Sequence, residues 1–174
     1  MRPVLYTELH RKAGPSVDQS TTVHEVIEAF RKAPSNNERG RRFEELMVRY
    51  FKLDPLFKQK YSDVWMWQNW PGRNGKADIG IDLVAQDRDT IEYTAIQCKF
   101  YEPNNTLSKS DIDSFFTASG KKPFSNRIII STTDIWGKNA EDACNSQQIA
   151  VQRIGLADIA ALRSTGPSPD RLAS

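Results

Sequence analysis

The sequence has few of the residues that mark several large classes of protein. It contains only two cysteines and two histidines among 174 residues. Cys98 and Cys144 are far apart and have no metal-ligand spacing, so neither a disulfide framework nor a zinc site is predicted. His10 and His24 both precede the polar strand residues that suggest a site, so histidine-based catalysis is not predicted either.

A long apolar run and a large net charge are also missing. No stretch has the length and apolar character of a membrane span, and residues 1–12 lack the apolar core of a signal peptide. We therefore expect a cytoplasmic protein with reduced cysteines. Because 24 basic residues nearly balance 22 acidic ones, leaving a net charge of +2, a surface that binds nucleic acid has to come from local clustering.

The patterns that are present predict one α/β domain with a mixed sheet. Apolar periodicity gives the order α-β-β-β-α-β-α-β-α, which is an antiparallel meander followed by helical crossovers. The predicted strands cover residues 63–70, 79–85, 91–101, 126–134 and 149–154. The predicted helices cover 23–30, 38–53, a segment from 108 to 119, 137–146 and 155–163. We divide the chain into an arm with a short helix, the α/β domain and a loose tail: 1–36, 37–163 and 164–174.

Polar side chains interrupt two of the predicted strands. Alternation puts Asp82 on one face of its strand and the apolar side chains on the other: Ile79, Ile81, Leu83 and Ala85. It likewise puts Gln97 and Lys99 together on one face of the next strand. Because these strands are neighbours in a meander, an acid, an amide and an ammonium group are predicted to gather on one side of the sheet.

These three groups suit the hydrolysis of a phosphodiester. Mg²⁺ prefers oxygen ligands and keeps several waters, so one or two carboxylates are enough to bind it. Asp82 supplies a carboxylate and Gln97 a neutral carbonyl oxygen. The ammonium of Lys99 can orient the attacking water and offset the charge that develops on the phosphate.

Further acidic and basic residues lie near this pair of strands in the sequence. Glu44 lies at the edge of the apolar stripe of the helix 38–53, whereas Glu45 falls on its wet face, so Glu44 is the predicted additional ligand. Asp78 is a candidate outer-shell acid. A solvated face and a phosphate-binding surface are equally good interpretations of the neighbouring basic residues: Arg41, Arg42, Arg73 and Lys76.

The D…QxK pattern on adjacent strands, preceded by an acidic helix, resembles the PD-(D/E)XK nuclease superfamily and its Mrr-like branch. Over roughly residues 38 to 160 the chain is similar to the N-terminal nuclease domain of type I single-polypeptide (type ISP) restriction-modification enzymes. The segments that carry this likeness are RFEELMVRYF, VWMWQNWPGRNGKADIGIDLVA, AIQCKFY, DIDSFFTASGK, IIISTTDIWGKNAED and VQRIGLADI.

The resemblance implies a restriction-endonuclease-like α-β-β-β-α-β core and an endonuclease that cuts double-stranded DNA with Mg²⁺, or with Mn²⁺ as a substitute. Asp82, Gln97 and Lys99 match the motif residues of that nuclease family, and Glu44 matches the acidic residue on its preceding helix. Helicase, methyltransferase and target-recognition modules accompany such domains, so the chain is either an excised domain or a stand-alone relative. Gln97 replaces the usual second acid, which leaves weaker metal binding or a degenerate site open.

Other interpretations account for some of the same residues. The chain is a non-catalytic DNA-binding module if the site is degenerate, and it binds neither metal nor DNA if Asp82 and Lys99 form only a cross-strand ion pair. The tryptophans of the strand 63–70 are expected in the core more often than stacked on bases. Ser131 to Thr133 are expected to bond backbone groups rather than phosphate.

Overall fold

The computed structural model describes residues 23–77 and 79–161. The predictions for the N-terminal arm, for Asp78 and for the tail therefore lie outside the described residues. The helices are α1 Val23–Arg31, α2 Asn36–Leu53, α3 Pro55–Lys60, α4 Asp113–Ser119, α5 Lys138–Asn145 and α6 Leu156–Ala161. The strands are β1 Tyr61–Met66, β2 Leu83–Asp87, β3 Tyr93–Lys99, β4 Phe124–Ser131 and β5 Val151–Ile154. Short 3-10 turns lie at Trp67–Asn69, Pro71–Arg73 and Lys109–Asp111.

The five strands form one mixed sheet in the order β1-β2-β3-β4-β5. The pairs β1–β2 and β2–β3 are antiparallel, whereas β3–β4 and β4–β5 are parallel. A parallel neighbour needs a crossover, and the segments that contain α4 and α5 supply the two crossovers. The predicted meander, the crossovers and the mixed α/β fold class are confirmed.

Helices cover both faces of the sheet, so the domain has two apolar layers. On one face α1 and α2 pack on Leu83, Ala85 and Ile96. On the other face the helix α4 packs on Val84 and Ala95. Burial on both faces explains why Leu83, Val84 and Ala85 form an uninterrupted apolar run at the start of β2. Of the described helices, none has the length and hydropathy that crossing a membrane requires.

The long helix α2 carries the apolar stripe that the sequence predicts. All five stripe residues are buried: Phe43, Leu46, Met47, Tyr50 and Phe51. Asn36 and Asn37 are suitable caps for a helix that the sequence predicts to begin near Glu38, but this prediction is wrong. Ser35 precedes the helix in extended conformation, and its Oγ accepts a hydrogen bond from the Glu38 backbone N–H. Glu44 is half-buried beside the stripe and Glu45 is exposed, as expected.

All five strands are shorter than the segments that the sequence predicts, and in β1 and β2 the difference changes the path of the chain. β1 ends at Met66 because the chain turns into a 3-10 segment, and Trp67 and Trp70 then enter the core, as the core interpretation expects. β2 begins only at Leu83. Before it, Gly80 adopts a φ of 90° against the start of α4, which breaks the alternation. The expectation that Ile81 shares a face with Leu83 is therefore wrong.

The displaced alternation has a consequence for side-chain packing. Ile81 and Ile79 pack in the layer beneath α4, together with Val84. Leu83 instead packs in the layer beneath α2. The segment before β2 consequently lies along the end of the sheet rather than within it, and this placement brings Asp82 to the edge of a cleft.

The turn between α2 and α3 offers a test of the fold. Asp54 is fully buried, and its Oδ1 accepts hydrogen bonds from the Leu56 and Phe57 backbone N–H groups at 2.9 and 3.2 Å. Burial and the nearby Asp54 raise the pKa of Tyr50, whose hydroxyl donates to Oδ2 at 3.4 Å. We expect Asp54→Ala to lower the free energy of unfolding in urea by about 2 kcal/mol. Asp54→Asn keeps an oxygen acceptor and should lose less than half as much; equal losses would contradict the capping role.

Candidate active site

A polar cleft lies between α2 and the segment that leads into β2. Its volume is about 240 Å³, and it is lined by Glu44, Met66, Trp67, Gln68, Arg73, Ile81 and Asp82. Glu44 reaches the cleft from the helix, while Asp82 reaches it from the end of the sheet. The two carboxylates that the sequence predicts as metal ligands therefore line one cleft, although 37 residues lie between them in the chain.

Asp82 is held on both sides by backbone hydrogen bonds. Its N–H donates to the Ile96 carbonyl at 3.0 Å, and its carbonyl accepts from the Trp67 N–H at 2.7 Å. Its side-chain Oδ2 accepts a hydrogen bond from the Cys98 N–H at 2.7 Å. The carboxylate is thus bound to the backbone of β3 at Cys98, the residue between Gln97 and Lys99. Its position is set by the sheet rather than by a flexible loop.

Gln97 is buried next to this carboxylate. Its side chain is 2% exposed, and Nε2 donates to the Gly80 carbonyl at 3.2 Å. Its Oε1 is buried and has no hydrogen-bond partner among the described residues. A buried amide oxygen without a partner is costly, so such an atom in a native fold calls for an explanation. Gln97 is not among the residues that line the cleft, whereas Glu44 and Asp82 are.

Three charged residues of the candidate site affect the pKa of Cys98. Burial raises the pKa of the Cys98 thiol well above its usual range; the carboxylates of Asp82 and Glu44 raise it further, and Lys99 lowers it. All three charged groups therefore act on the same side chain. Of these three charged residues, Glu44 and Asp82 line the cleft together, and Lys99 is the residue that follows Cys98 on β3.

A second acid lies close to Lys99, and sequence reasoning missed its role. Burial raises the pKa of Asp111, but hydrogen bonds from Ser108 and Tyr101 and the charge of Lys99 outweigh it, and the pKa falls below its usual value. Ser108 donates to Asp111 Oδ2 from both its N–H and its Oγ at 2.7 Å. The spacing of Ser108 and Asp111 predicts a capping box, and the structure confirms it. The effect of Lys99 on Asp111 is not visible in that spacing.

The four basic candidates are placed differently. Arg73 lines the cleft with Glu44 and Asp82, and its Nη1 donates to the Lys76 carbonyl at 3.2 Å. Arg41 lines an adjoining cleft that also contains Glu44. Arg42 pairs with Glu38, and Lys76 is exposed on the loop before β2; neither lines these two clefts.

Three strand-end residues do what the backbone-bonding interpretation expects. Thr132 Oγ1 donates to the Tyr101 carbonyl and accepts from the Tyr101 N–H, both at 2.7 Å. Thr133 Oγ1 donates to the Asn105 carbonyl at 2.7 Å, and Ser131 Oγ accepts from the Thr133 N–H at 3.1 Å. These bonds tie the loop after β3 to the end of β4, where the Lys99 carbonyl also accepts a hydrogen bond from the Thr132 N–H at 3.0 Å.

The donor set fits a hard divalent cation. The described residues contain no group of three histidine, cysteine or acidic side chains that could hold a metal. They do contain two carboxylates in one cleft and a buried amide oxygen that lacks a partner. Oxygen-only ligands in this number match the preference of Mg²⁺, which keeps several waters and needs only one or two carboxylates.

The sheet order, the acid just before β2, the Gln-x-Lys segment on β3 and the glutamate on the preceding long helix together define a PD-(D/E)XK nuclease fold of the Mrr-like type. The profile of a restriction endonuclease family matches residues 52–164, which is more than half of the chain. The chain therefore belongs to the restriction endonuclease family, and it is a nuclease domain of the kind found in restriction systems.

Solved structures agree with this assignment. The chain is similar to the ATP-dependent type ISP restriction-modification enzyme LlaBIII bound to DNA, with a TM-score of 0.64 and 29% identity over 79% of this chain. Two more distant structures share the fold: the DNA modification-dependent restriction endonuclease AspBHI (TM-score 0.55, 18% identity, 86% of this chain and 37% of that one) and the MspJI restriction endonuclease in complex with a 27-mer oligonucleotide (TM-score 0.54, 16% identity, 82% and 30%). No curated protein sequence matches the chain.

The chain spans only a small part of its relatives. It covers 8% of the type ISP enzyme chain, and 37% and 30% of the other two. The likeness therefore concerns the nuclease domain, and the activities of the remaining parts of those proteins do not follow from it.

Proposed function

We propose that the chain is an Mg²⁺-dependent endonuclease domain that hydrolyses phosphodiester bonds of double-stranded DNA. The observation that supports this most directly is the cleft shared by Glu44 and Asp82. Gln97 on β3 adds a buried amide oxygen that has no hydrogen-bond partner among the described residues. Two of the similar solved structures are described as bound to DNA or to an oligonucleotide, which supports DNA as the substrate. A cytoplasmic setting suits both this substrate and the two free cysteines.

Asp82, Glu44 and Gln97 are the residues that would hold the metal, with Asp78 as a candidate outer acid. Mg²⁺, or Mn²⁺ in its place, would supply Lewis-acid polarisation of the phosphate and a more acidic water. The hydrogen bond from the Cys98 N–H orients the Asp82 carboxylate, so little reorganisation of this ligand is needed.

Lys99 is the proposed electrostatic catalyst. Its ammonium lies at the carboxyl end of β3, close enough to Asp111 and to the Cys98 thiol for its charge to shift the pKa of both groups. A positive charge there stabilises the phosphate as negative charge develops on it and helps to orient the attacking water. Arg73, which lines the cleft with Glu44 and Asp82, is the candidate for binding the DNA phosphate itself.

The type ISP relative combines restriction and modification in one ATP-dependent enzyme. We propose that this domain likewise works with helicase, methyltransferase and target-recognition modules, on the same chain or on partner chains. The DNA sequence at which it cuts would then be chosen by those modules rather than by the residues of the cleft.

Two neighbouring glutamates give a matched test of the proposal. Glu44 lines the cleft, whereas Glu45 is exposed and pairs with Arg41 at 3.0 Å. We expect Glu44→Gln to lower Mg²⁺-dependent nicking of supercoiled plasmid at least about tenfold, because a ligand charge is lost. Glu45→Gln should leave the rate within about twofold, since surface ion pairs contribute little.

The same experiment distinguishes the proposed endonuclease from the alternative interpretations of the fold. The purified chain should nick plasmid in Mg²⁺ or Mn²⁺ and not in EDTA, and calorimetry should record metal binding that Glu44→Gln weakens. DNA retention that falls with salt, without nicking and without metal binding, would instead establish a non-catalytic DNA-binding module on this fold. Loss of nicking to the same degree in both glutamate variants would remove Glu44 from the site.

A further inference from the structure

The cleft that contains the two carboxylates continues along α2. An adjoining cleft of about 320 Å³ shares Glu44, Met66 and Gln68 with it. A third cleft, of about 330 Å³, shares Asn36 and Asn37 with the second. The three clefts therefore adjoin one another from the candidate active site along the first turns of α2, and we call them together the α2 groove.

A glycine lies in the middle of this groove, inside the helix. Gly40 is one turn into α2 and lines the central cleft. Glycine within a helix is destabilising relative to alanine, because its backbone loses more freedom on folding. Apart from the helix's own backbone, a Cβ atom added at Gly40 would meet no heavy atom of the described residues within 4 Å, so packing against them gives no reason for a glycine there. A missing side chain on a groove wall allows another backbone to approach the helix closely.

The polar groups around Gly40 suit a phosphodiester backbone. Arg41 lines the central cleft and Arg39 the third, while the amides of Asn36 and Asn37 line both. Guanidinium and amide groups are the usual partners of phosphate and sugar oxygens in protein–DNA contacts. The acidic residue in the third cleft, Glu102, is paired with Arg31 at 3.2 Å and lies 3.9 Å from Arg39, so its charge is largely offset.

We propose that a DNA strand leaving the candidate active site runs along the α2 groove, and that its sugar-phosphate backbone passes against the helix at Gly40. The inference rests on the proposed function, since the groove gains its meaning from the site at its end. Beyond that function, it assigns a substrate-positioning surface to the domain and states on which side of the active site the DNA strand lies. Phosphate and sugar contacts of this kind set register and orientation without reading sequence.

A size series at Gly40 tests the proposal, because stability and DNA binding should change in opposite directions. Gly40→Ala should raise the melting temperature by about 2–4 °C, as alanine favours the helix and its Cβ has open space. Gly40→Gln should keep at least wild-type stability. Affinity for a 20-base-pair duplex, measured by fluorescence anisotropy in EDTA, should fall modestly with alanine and roughly tenfold or more with glutamine.

Either of two results would overturn the proposal. If Gly40→Gln bound duplex with wild-type affinity, no backbone would approach the helix at this position. If Gly40→Ala lowered the melting temperature, the glycine would serve the fold and not a ligand. Nicking assays separate this failure from failure of the proposed function: wild-type nicking that depends on Asp82, with Gly40→Gln cutting equally well, would reject the groove and leave the active site standing.

Two adjacent arginines give a matched test of the charge. Arg41 and Arg42 each pair with a glutamate four residues away on α2, but only Arg41 lines the groove. Each change to glutamine removes one positive charge from the same helix. We expect Arg41→Gln to weaken duplex binding at least about threefold more than Arg42→Gln. Equal losses would show a diffuse electrostatic effect and count against a strand in the groove.

Discussion

Asp82→Asn is expected to lower Mg²⁺-dependent nicking by about 10²- to 10³-fold while leaving the fold intact. The Asp82 carboxylate lines the cleft and is held by a hydrogen bond from the backbone of β3. A metal ion bound in the cleft would therefore depend most on its negative charge. Asparagine keeps an oxygen that can accept the Cys98 N–H, now bonded to Oδ2 at 2.7 Å. The variant therefore removes the charge and spares the hydrogen bond.

Comparison with alanine separates chemistry from stability. Asp82→Ala should lose nicking to a similar degree, but it also leaves the half-buried Cys98 N–H without its acceptor, which should lower the free energy of unfolding by about 1–2 kcal/mol. Asp63→Asn on β1 is the matched control. Asp63 also accepts a backbone hydrogen bond, from the Val64 N–H at 2.8 Å, and it pairs with Lys52 of α2 at 3.7 Å. Full nicking by Asp82→Asn would place the site elsewhere.

Lys99→Met should lower nicking by a comparable factor, about 10²- to 10³-fold, with metal binding retained. Methionine keeps most of the length of the stem and removes the charge. Because Lys99 is a cation near Asp82 and Glu44 rather than a ligand, its loss should leave affinity for Mg²⁺ unchanged or slightly raised. Plasmid nicking and calorimetric metal titration on the same preparation would measure the two effects separately.

A second lysine provides the control for this charge. Lys109 lies on the turn after β3 and pairs with Asp113 at 2.6 Å on the exposed surface. Lys109→Met should leave nicking within about twofold. If Lys99 and Asp82 were only a structural ion pair, a double-mutant cycle would show coupling in the free energy of unfolding and none in a catalytic rate. That result, with normal nicking by Lys99→Met, would reject the catalytic role.

The helix α2 shows how far local sequence reaches. Its apolar stripe follows from the spacing of large apolar residues, and the same spacing separates Glu44 from Glu45. Periodicity predicts such faces because a helix or strand presents the same side chains whatever it packs on. The start of the helix was less predictable, since Ser35 and two asparagines all offer a side-chain oxygen for the cap.

The segment before β2 shows where local sequence fails. The letters IGIDLVA predict an uninterrupted strand, but Gly80 takes a positive φ where it meets Ser114 and Phe115 on α4. That contact lies more than thirty residues away in the chain, so no local pattern reveals it. It moves Ile81 to the other layer and leaves Asp82 on the rim of the cleft.

By itself the sequence determined the mixed α/β order, the apolar stripe of α2 and the choice of Glu44 over Glu45, because periodicity is a local property; it also contains the D…QxK residues. Only the tertiary structure decided that Glu44 and Asp82 share a cleft, that Asp111 lies near Lys99, and that Arg41 lines the α2 groove while Arg42 does not line it. Those relations depend on how α2 and the loops pack against the sheet, and packing is set by contacts between segments that are distant in the chain.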